Sequence, residues 1–173
     1  MKKLYAPWRT QYASSINKLK KNSDSTYTCP FCCAANTPKT IAADKDTNYV
    51  LKQTANCTIL LNLYPYNTGH ILIVPNNHCS DLQELDSDTH NELMALISKS
   101  SALLGTQLNC AGINIGLNLG AASGAGIPEH LHFHLVPRWQ GDTNFMPIIA
   151  ETKVLSFDLG DMYKKLKSSF DSL

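Results

Sequence analysis

Three histidines on alternate positions, His130, His132 and His134, sit in the stretch E-H-L-H-F-H-L-V-P-R-W from Glu129 to Trp139. They are half of the chain's six histidines. Alternation at period two is the pattern of a β-strand, whose successive side chains point to opposite faces. The spacing predicts three imidazoles along one face, with Leu131, Phe133 and Leu135 entering a core from the other. Solvation alone gives no reason to choose histidine three times. A metal centre using all three is opposed by reach: at ~3.3 Å per residue the outer Cα atoms stand ~13 Å apart, whereas Zn–N bonds are ~2.0–2.1 Å. A metal-dependent phosphoesterase that used only His132 and His134 stays open. The chemistry that suits the pattern best is nucleophilic. A neutral imidazole, with a reference pKa of ~6.5, offers a lone pair near neutral pH and can attack phosphorus to form a phosphoramidate. Such a reaction needs donors around the phosphoryl oxygens, and the small-residue loop Gly120 to Gly126, which enters the histidine stretch, can supply backbone N–H groups.

A second group of reactive residues lies near the start. Six cysteines occupy positions 29, 32, 33, 57, 79 and 110 with no secretion signal, which favours reduced thiols or metal ligands over a disulfide framework. Cys29-x-x-Cys32 supplies half of a tetrahedral zinc site, although a redox pair would read the same. Two further ligands are needed. His78 and His130 are the candidates, with Cys33 and Cys79 as neighbours able to replace either partner.

These residues need a scaffold. At 173 residues the chain suits a single domain spanning 1–173, able to bury roughly 70 % of its unfolded surface. A net charge of +1, with Lys and Arg dispersed, leaves no footprint for a nucleic acid polymer. The longest aliphatic run, Ile71 to Val74, is too short to span a membrane, so a soluble, cytoplasmic protein is expected.

Residues 7–20 place Trp8, Tyr12, Ile16 and Leu19 at helical spacing, and 21–28 are turn-rich. Residues 48–65 predict two strands joined through Thr54-Ala55-Asn56. A turn at 64–69 then leads to a buried strand at His70 to Pro75, completing an antiparallel meander. Asp86 to Leu104 predicts the main helix, with Ser87 and Asp88 as caps and Leu93, Met94, Leu96, Ile97, Leu103 and Leu104 on its core face. Gly112 to Leu119 alternates as a strand, Phe145 to Ala150 is expected to be extended, and Ser156 to Phe170 reads as a closing helix.

The sequence H-L-H-F-H-L-V at 130–136 resembles the signature of the histidine triad family of nucleotidyl hydrolases and transferases. N-L-Y-P-Y-N-T-G-H-I-L-I-V-P at 62–75, G-I-N-I-G-L-N-L-G at 112–120 and V-P-R-W-Q-G-D-T-N-F at 136–145 extend the likeness toward its diadenosine tetraphosphate phosphorylase-like branch. The resemblance covers about residues 5–155. It implies an α+β fold: an antiparallel sheet of about five strands and one long helix. The core would span about 45–150, with a helix and Cys-x-x-Cys segment at 5–40 and a helix at 156–172. It implies His132 as the nucleophile and His134 as the group at the α-phosphate. Asn118 would lie near the scissile phosphate, the backbone at Gly124, Ala125 and Ile127 would cradle phosphate, and Asn62 would meet the ribose. For Asn62 the competing reading is an amide capping the strand end. His70 would brace the triad. Many members carry Gly-Gln where this chain has Gly124-Ala125, so a glutamine contact is absent here. Zinc-bearing members imply a structural Cys29, Cys32, His78, His130 site and no catalytic cofactor.

The function implied is cleavage of a dinucleoside polyphosphate at the α-phosphate through a nucleotidyl-histidine, with inorganic phosphate or water as acceptor, in a homodimer. The alternatives are a non-catalytic nucleotide-binding module and a hydrolase of other nucleotide conjugates such as phosphoramidates.

Overall fold

The computed structural model describes residues 29–36 and 49–173. The expected helix at 7–20 and loop at 21–28 lie outside them. A short helix, α1 (Pro30–Asn36), is followed by strands β1 (Val50–Gln53), β2 (Cys57–Leu61) and β3 (Ile71–Pro75). Next come the long helix α2 (Ser87–Leu108), strands β4 (Gly112–Leu117) and β5 (Phe133–Arg138), a one-turn helix α3 (Met146–Ile149) and the closing helix α4 (Leu159–Asp171). The five strands form one antiparallel sheet in the order β1-β2-β3-β5-β4. This is the expected α+β architecture.

Alternation sorts the two faces. Leu51, Ile59, Leu61, Ile71, Ile73 and Leu135 turn toward α2 and α4, where they meet Leu93, Leu96, Ile97, Leu104, Met162, Leu166 and Phe170 in the main core. Leu60, Leu72 and Val74 turn the other way and pack on Cys29, Phe31 and Ala34 of the α1 segment. His134 stands opposite Leu72 in the ladder and shares this second face.

Several expectations are corrected. The cap of α2 is Asp86, whose carboxylate accepts from Thr89 N at 2.7 Å, in place of Ser87 or Asp88. The helix runs four residues past Leu104, to a left-handed Asn109. Met94 is 49 % exposed and lies off the core face. Residues 145–150 are not extended: the Asn144 side chain accepts from Met146 N at 2.9 Å and Pro147 has no N–H for a ladder, so the segment turns into α3. The closing helix begins later than expected, at Leu159, behind an Asp158 cap.

The histidine strand is also shorter than its alternation predicts. Its ladder begins at Phe133, opposite Leu117 on one side and Ile73 on the other. Leu131 N donates instead to Cys79 O at 2.7 Å, which draws His130 and His132 out of the sheet toward α1.

Candidate functional site

Cys29 and Cys32 flank the first turn of α1, and His78 follows β3. Cys29 Sγ lies 3.3 Å from His130 Nδ1, and Cys32 Sγ lies 3.3 Å from His78 Nδ1 and 3.6 Å from His130 Nδ1. One donor atom from each of the four falls within 4.8 Å of the others, and Cys33 and Cys79 are outside this group. The His130 Nε2 sits 2.9 Å from Pro75 O, which can only accept. Its proton is therefore on Nε2, and Nδ1 presents a lone pair to the two sulfurs. Burial lowers the His130 pKa, and burial with the adjoining Cys29 thiol pushes Cys32 up to about 11. Two sulfurs and two imidazoles converging in this way could hold a metal ion, and they match the donor types of a tetrahedral centre.

The other two triad histidines are 5 % and 9 % exposed. His132 Nδ1 lies 2.8 Å from the His130 carbonyl oxygen. A carbonyl fixes the proton on Nδ1 and leaves the lone pair on Nε2. Burial lowers the His132 pKa, which keeps that lone pair unprotonated.

His134 is held the opposite way. Tyr66 N donates to His70 Nδ1 at 3.0 Å, and Asn62 Nδ2 lies 3.3 Å from the same atom. His70 Nδ1 is thus an acceptor, its proton is on Nε2, and Nε2 donates to His134 Nδ1 at 2.9 Å. The remaining proton of His134 then belongs on Nε2. Burial, with His134 and His132 close by, holds the His70 pKa down to about 3, so His70 is neutral. The two rings, centroids 4.9 Å apart, carry opposite tautomers: a lone pair at His132 Nε2 and an N–H at His134 Nε2. A nucleophile beside a hydrogen-bond donor is what a displacement at phosphorus requires.

The remaining predicted positions lie at the end of β4, in the loop that follows it and just after β2. Asn118 follows β4 directly and is half-buried. The loop turns through Gly120 and Gly124 at φ +72° and +87°, a region that strains any side chain bearing a Cβ. Gly124 is exposed, whereas Ala125 and Ile127 are half-buried and Ile127 packs on the α1 side of the sheet. The Asn62 side-chain oxygen accepts from Tyr64 N at 2.9 Å, and Asn62 Nδ2 lies 3.3 Å from His70 Nδ1.

Two aromatic residues had not been singled out from the sequence. Phe31, between the two paired cysteines, has its ring 5.0 Å from that of His132 and 5.5 Å from that of His130. Tyr66 stacks on His134 at 5.5 Å and 18°, and lies 4.7 Å from His70. The signal for Phe31 was its position inside C-P-F-C; Tyr66 carried none beyond its closeness to His70.

A family model for the HIT domain matches residues 43–141. The chain belongs to the HIT family. This HIT protein is 35 % identical over 171 residues to the AP-4-A phosphorylase of Mycobacterium tuberculosis, a match that covers 98 % of this chain and 85 % of that protein. It is also 25 % identical to the adenosine 5'-monophosphoramidase of Candida albicans, over 69 % of this chain and 81 % of that one. A zinc-bound histidine triad family protein from Mycobacterium smegmatis shares the fold, with a TM-score of 0.64 and 22 % identity over 84 % of this chain and 94 % of that chain. So does Plasmodium falciparum diadenosine triphosphate hydrolase, with a TM-score of 0.60 and 18 % identity over 94 % and 97 %.

Proposed function

We propose that this HIT protein is a nucleotidyl-transferring enzyme that cleaves dinucleoside polyphosphates of the diadenosine tetraphosphate type at the α-phosphorus. In the first step the His132 Nε2 lone pair forms an N–P bond while the P–O bond to the leaving polyphosphate breaks and that oxygen keeps the electron pair. In the second an acceptor oxygen forms a P–O bond, the N–P bond breaks, and the lone pair returns to His132. The His134 Nε2–H and the backbone from Gly124 to Ile127 would meet the phosphoryl oxygens as charge spreads onto them. Asn118 would lie beside the scissile phosphate, with Asn62 at the ribose end. The observation that carries the reading is the pair of opposed tautomers, fixed by His130 O on one side and by Tyr66 N through His70 on the other.

The similarity to the mycobacterial phosphorylase favours inorganic phosphate as the acceptor. Incubation with diadenosine tetraphosphate, with and without phosphate, tests both points. Phosphorolysis gives ATP plus ADP, hydrolysis gives ATP plus AMP, and release of neither would refute the proposal. The same first step with an amine leaving group would serve nucleoside phosphoramidates, the class acted on by the Candida relative.

We further propose that Cys29, Cys32, His78 and His130 hold a structural zinc ion. Bound zinc would cross-link these side chains and supply no catalytic water, because the proposed nucleophile is an imidazole. The outer edge of β4, which pairs with no other strand among the described residues and leaves Ile115 48 % exposed, is proposed to join a second copy, which sedimentation at twice 19.1 kDa would register.

A further inference from the structure

The stretch from Pro137 to Asp142 contributes no group to the chemistry above, yet its atoms converge on the turn that serves His70. The Asp142 side chain is 8 % exposed. Its Oδ2 accepts from Arg138 Nε at 2.6 Å, Asn67 Nδ2 at 2.8 Å and Trp139 N at 3.2 Å, and its Oδ1 accepts from Arg138 Nη2 at 2.9 Å. Arg138 holds this carboxyl well below the usual carboxylate range, so it stays an acceptor. Asn67, 5 % exposed, also donates to Pro137 O at 2.9 Å, so both protons of its amide are engaged. Its own carbonyl accepts from His70 N at 3.2 Å and closes the turn. On the far side Gly69 adopts φ +73°, and a Cβ there would collide with Leu108 at the end of α2. The turn is therefore held on two sides, and the consequence is local: the Tyr66 N–H is aimed at His70 Nδ1.

We propose that Asn67 and Asp142 are positioning residues for the phosphate-side histidine. They fix the 65–69 turn so that the Tyr66 N–H occupies His70 Nδ1, His70 donates from Nε2, and His134 keeps its own proton on the opposite nitrogen. If the turn loosens, the Nδ1–H form of His70 becomes available and its Nε2 can accept. His134 can then place its proton on Nδ1 and turn a lone pair toward the site. Against a phosphate oxygen a lone pair repels where an N–H attracts, so a contact two residues removed from the reacting atoms sets the sign of an interaction at the centre. The effect on rate rests on the nucleotidyl-transfer reading; the effect on the tautomer does not.

The test uses the full chain labelled with ¹⁵N and long-range ¹H–¹⁵N spectra of the imidazoles at neutral pH, which separate Nδ1–H from Nε2–H rings. The wild type should show His70 and His134 as Nε2–H and His132 as Nδ1–H. In Asp142→Asn and Asn67→Ser, His134 should become a mixture while His132 is unchanged. The kcat for diadenosine tetraphosphate should fall about tenfold with KM within about twofold. Asn67→Ser leaves the Arg138–Asp142 pair in place and decides the matter if Asp142→Asn does not fold. Asn114→Ala, which removes only the outer partner of Arg138 at 2.8 Å, should change neither tautomer nor kcat. A folded Asn67→Ser whose His134 remains wholly Nε2–H would overturn the proposal, as would a wild type that lacks this form. A wild type that cleaves no dinucleoside polyphosphate would overturn the nucleotidyl reading instead, and the spectra would still decide the positioning role.

Discussion

At the scale of single residues, the proposed roles of His132 and His134 follow from which nitrogen each is obliged to protonate. Replacing His132 with Asn keeps a polar side chain but removes the lone pair proposed to attack phosphorus. Turnover should fall at least roughly 10³-fold while nucleotide affinity, read by titration calorimetry, stays nearly constant; retention of a tenth of the wild-type rate would end the assignment. His70 gives a pH signature. Its folded pKa of about 3 lies below its unfolded value of 6.5, so the unfolded chain binds the extra proton between these limits. Its contribution to stability is present above pH 6.5 and is lost as pH falls toward 3. Between pH 6.5 and 4.5 this one group should remove about 2 kcal/mol of unfolding free energy. Urea melts of wild type and His70→Asn at the two pH values measure it, and an equal pH dependence in the two proteins would refute it. The triad itself was legible in the sequence because histidine at period two has few other uses. The Tyr66 N–H was not, because a main-chain donor has the same identity at every non-proline position and acts here only through the shape of a turn. Asn67 and Asp142 stayed hidden for a related reason: they meet across 75 positions of chain.

Elements show where local pattern suffices. β2 and β3, buried on both faces, were readable as apolar runs bounded by turn signals, whereas β4, mostly exposed, was readable from its alternation. The end of α2 was not readable, because Gly105, Thr106 and Gln107 are weak signals and the helix is prolonged by Leu108 packing toward the turn at Gly69. That contact predicts a large effect from a small change. Gly69→Ala combines a left-handed backbone with a collision against Leu108, and should cost about 2–4 kcal/mol in a urea melt. A loss under about 1 kcal/mol would show that the helix end gives way freely. The histidine strand was read too long because alternation reports which face a side chain takes and says nothing about which partner its backbone finds.

For the whole molecule, the four-residue cluster adds to a contact between α1 and the sheet that, among the described residues, rests on a few apolar side chains and the hydrogen bond from Gln53 Nε2 to Ala35 O. α1 packs on the sheet through Cys29, Phe31 and Ala34, and the same segment carries two of the four proposed ligands. Cys29→Ser, in protein prepared without a histidine tag, should reduce bound zinc from about one equivalent per chain to well below it and lower the melting temperature by several degrees. Zinc content below one equivalent in both proteins would remove the metal from the account. Here too the sequence was informative in part. The C-x-x-C spacing marked half the site, the family resemblance supplied His78 and His130 for the other half, and the folded sheet brings the four donor atoms together.

The distance along the chain from Cys29 to His130, 101 residues, has a consequence in time. Closing so long a loop is entropically slow to reward, whereas the meander and α2 form from near neighbours. The sheet should therefore assemble before the cluster does, and the His130 carbonyl should reach its place under His132 only at the end. During refolding from urea, far-UV circular dichroism should return ahead of catalytic turnover, and added zinc should shorten the lag of turnover alone. Simultaneous recovery of both signals, with or without zinc, would show that His132 is set as early as the strands.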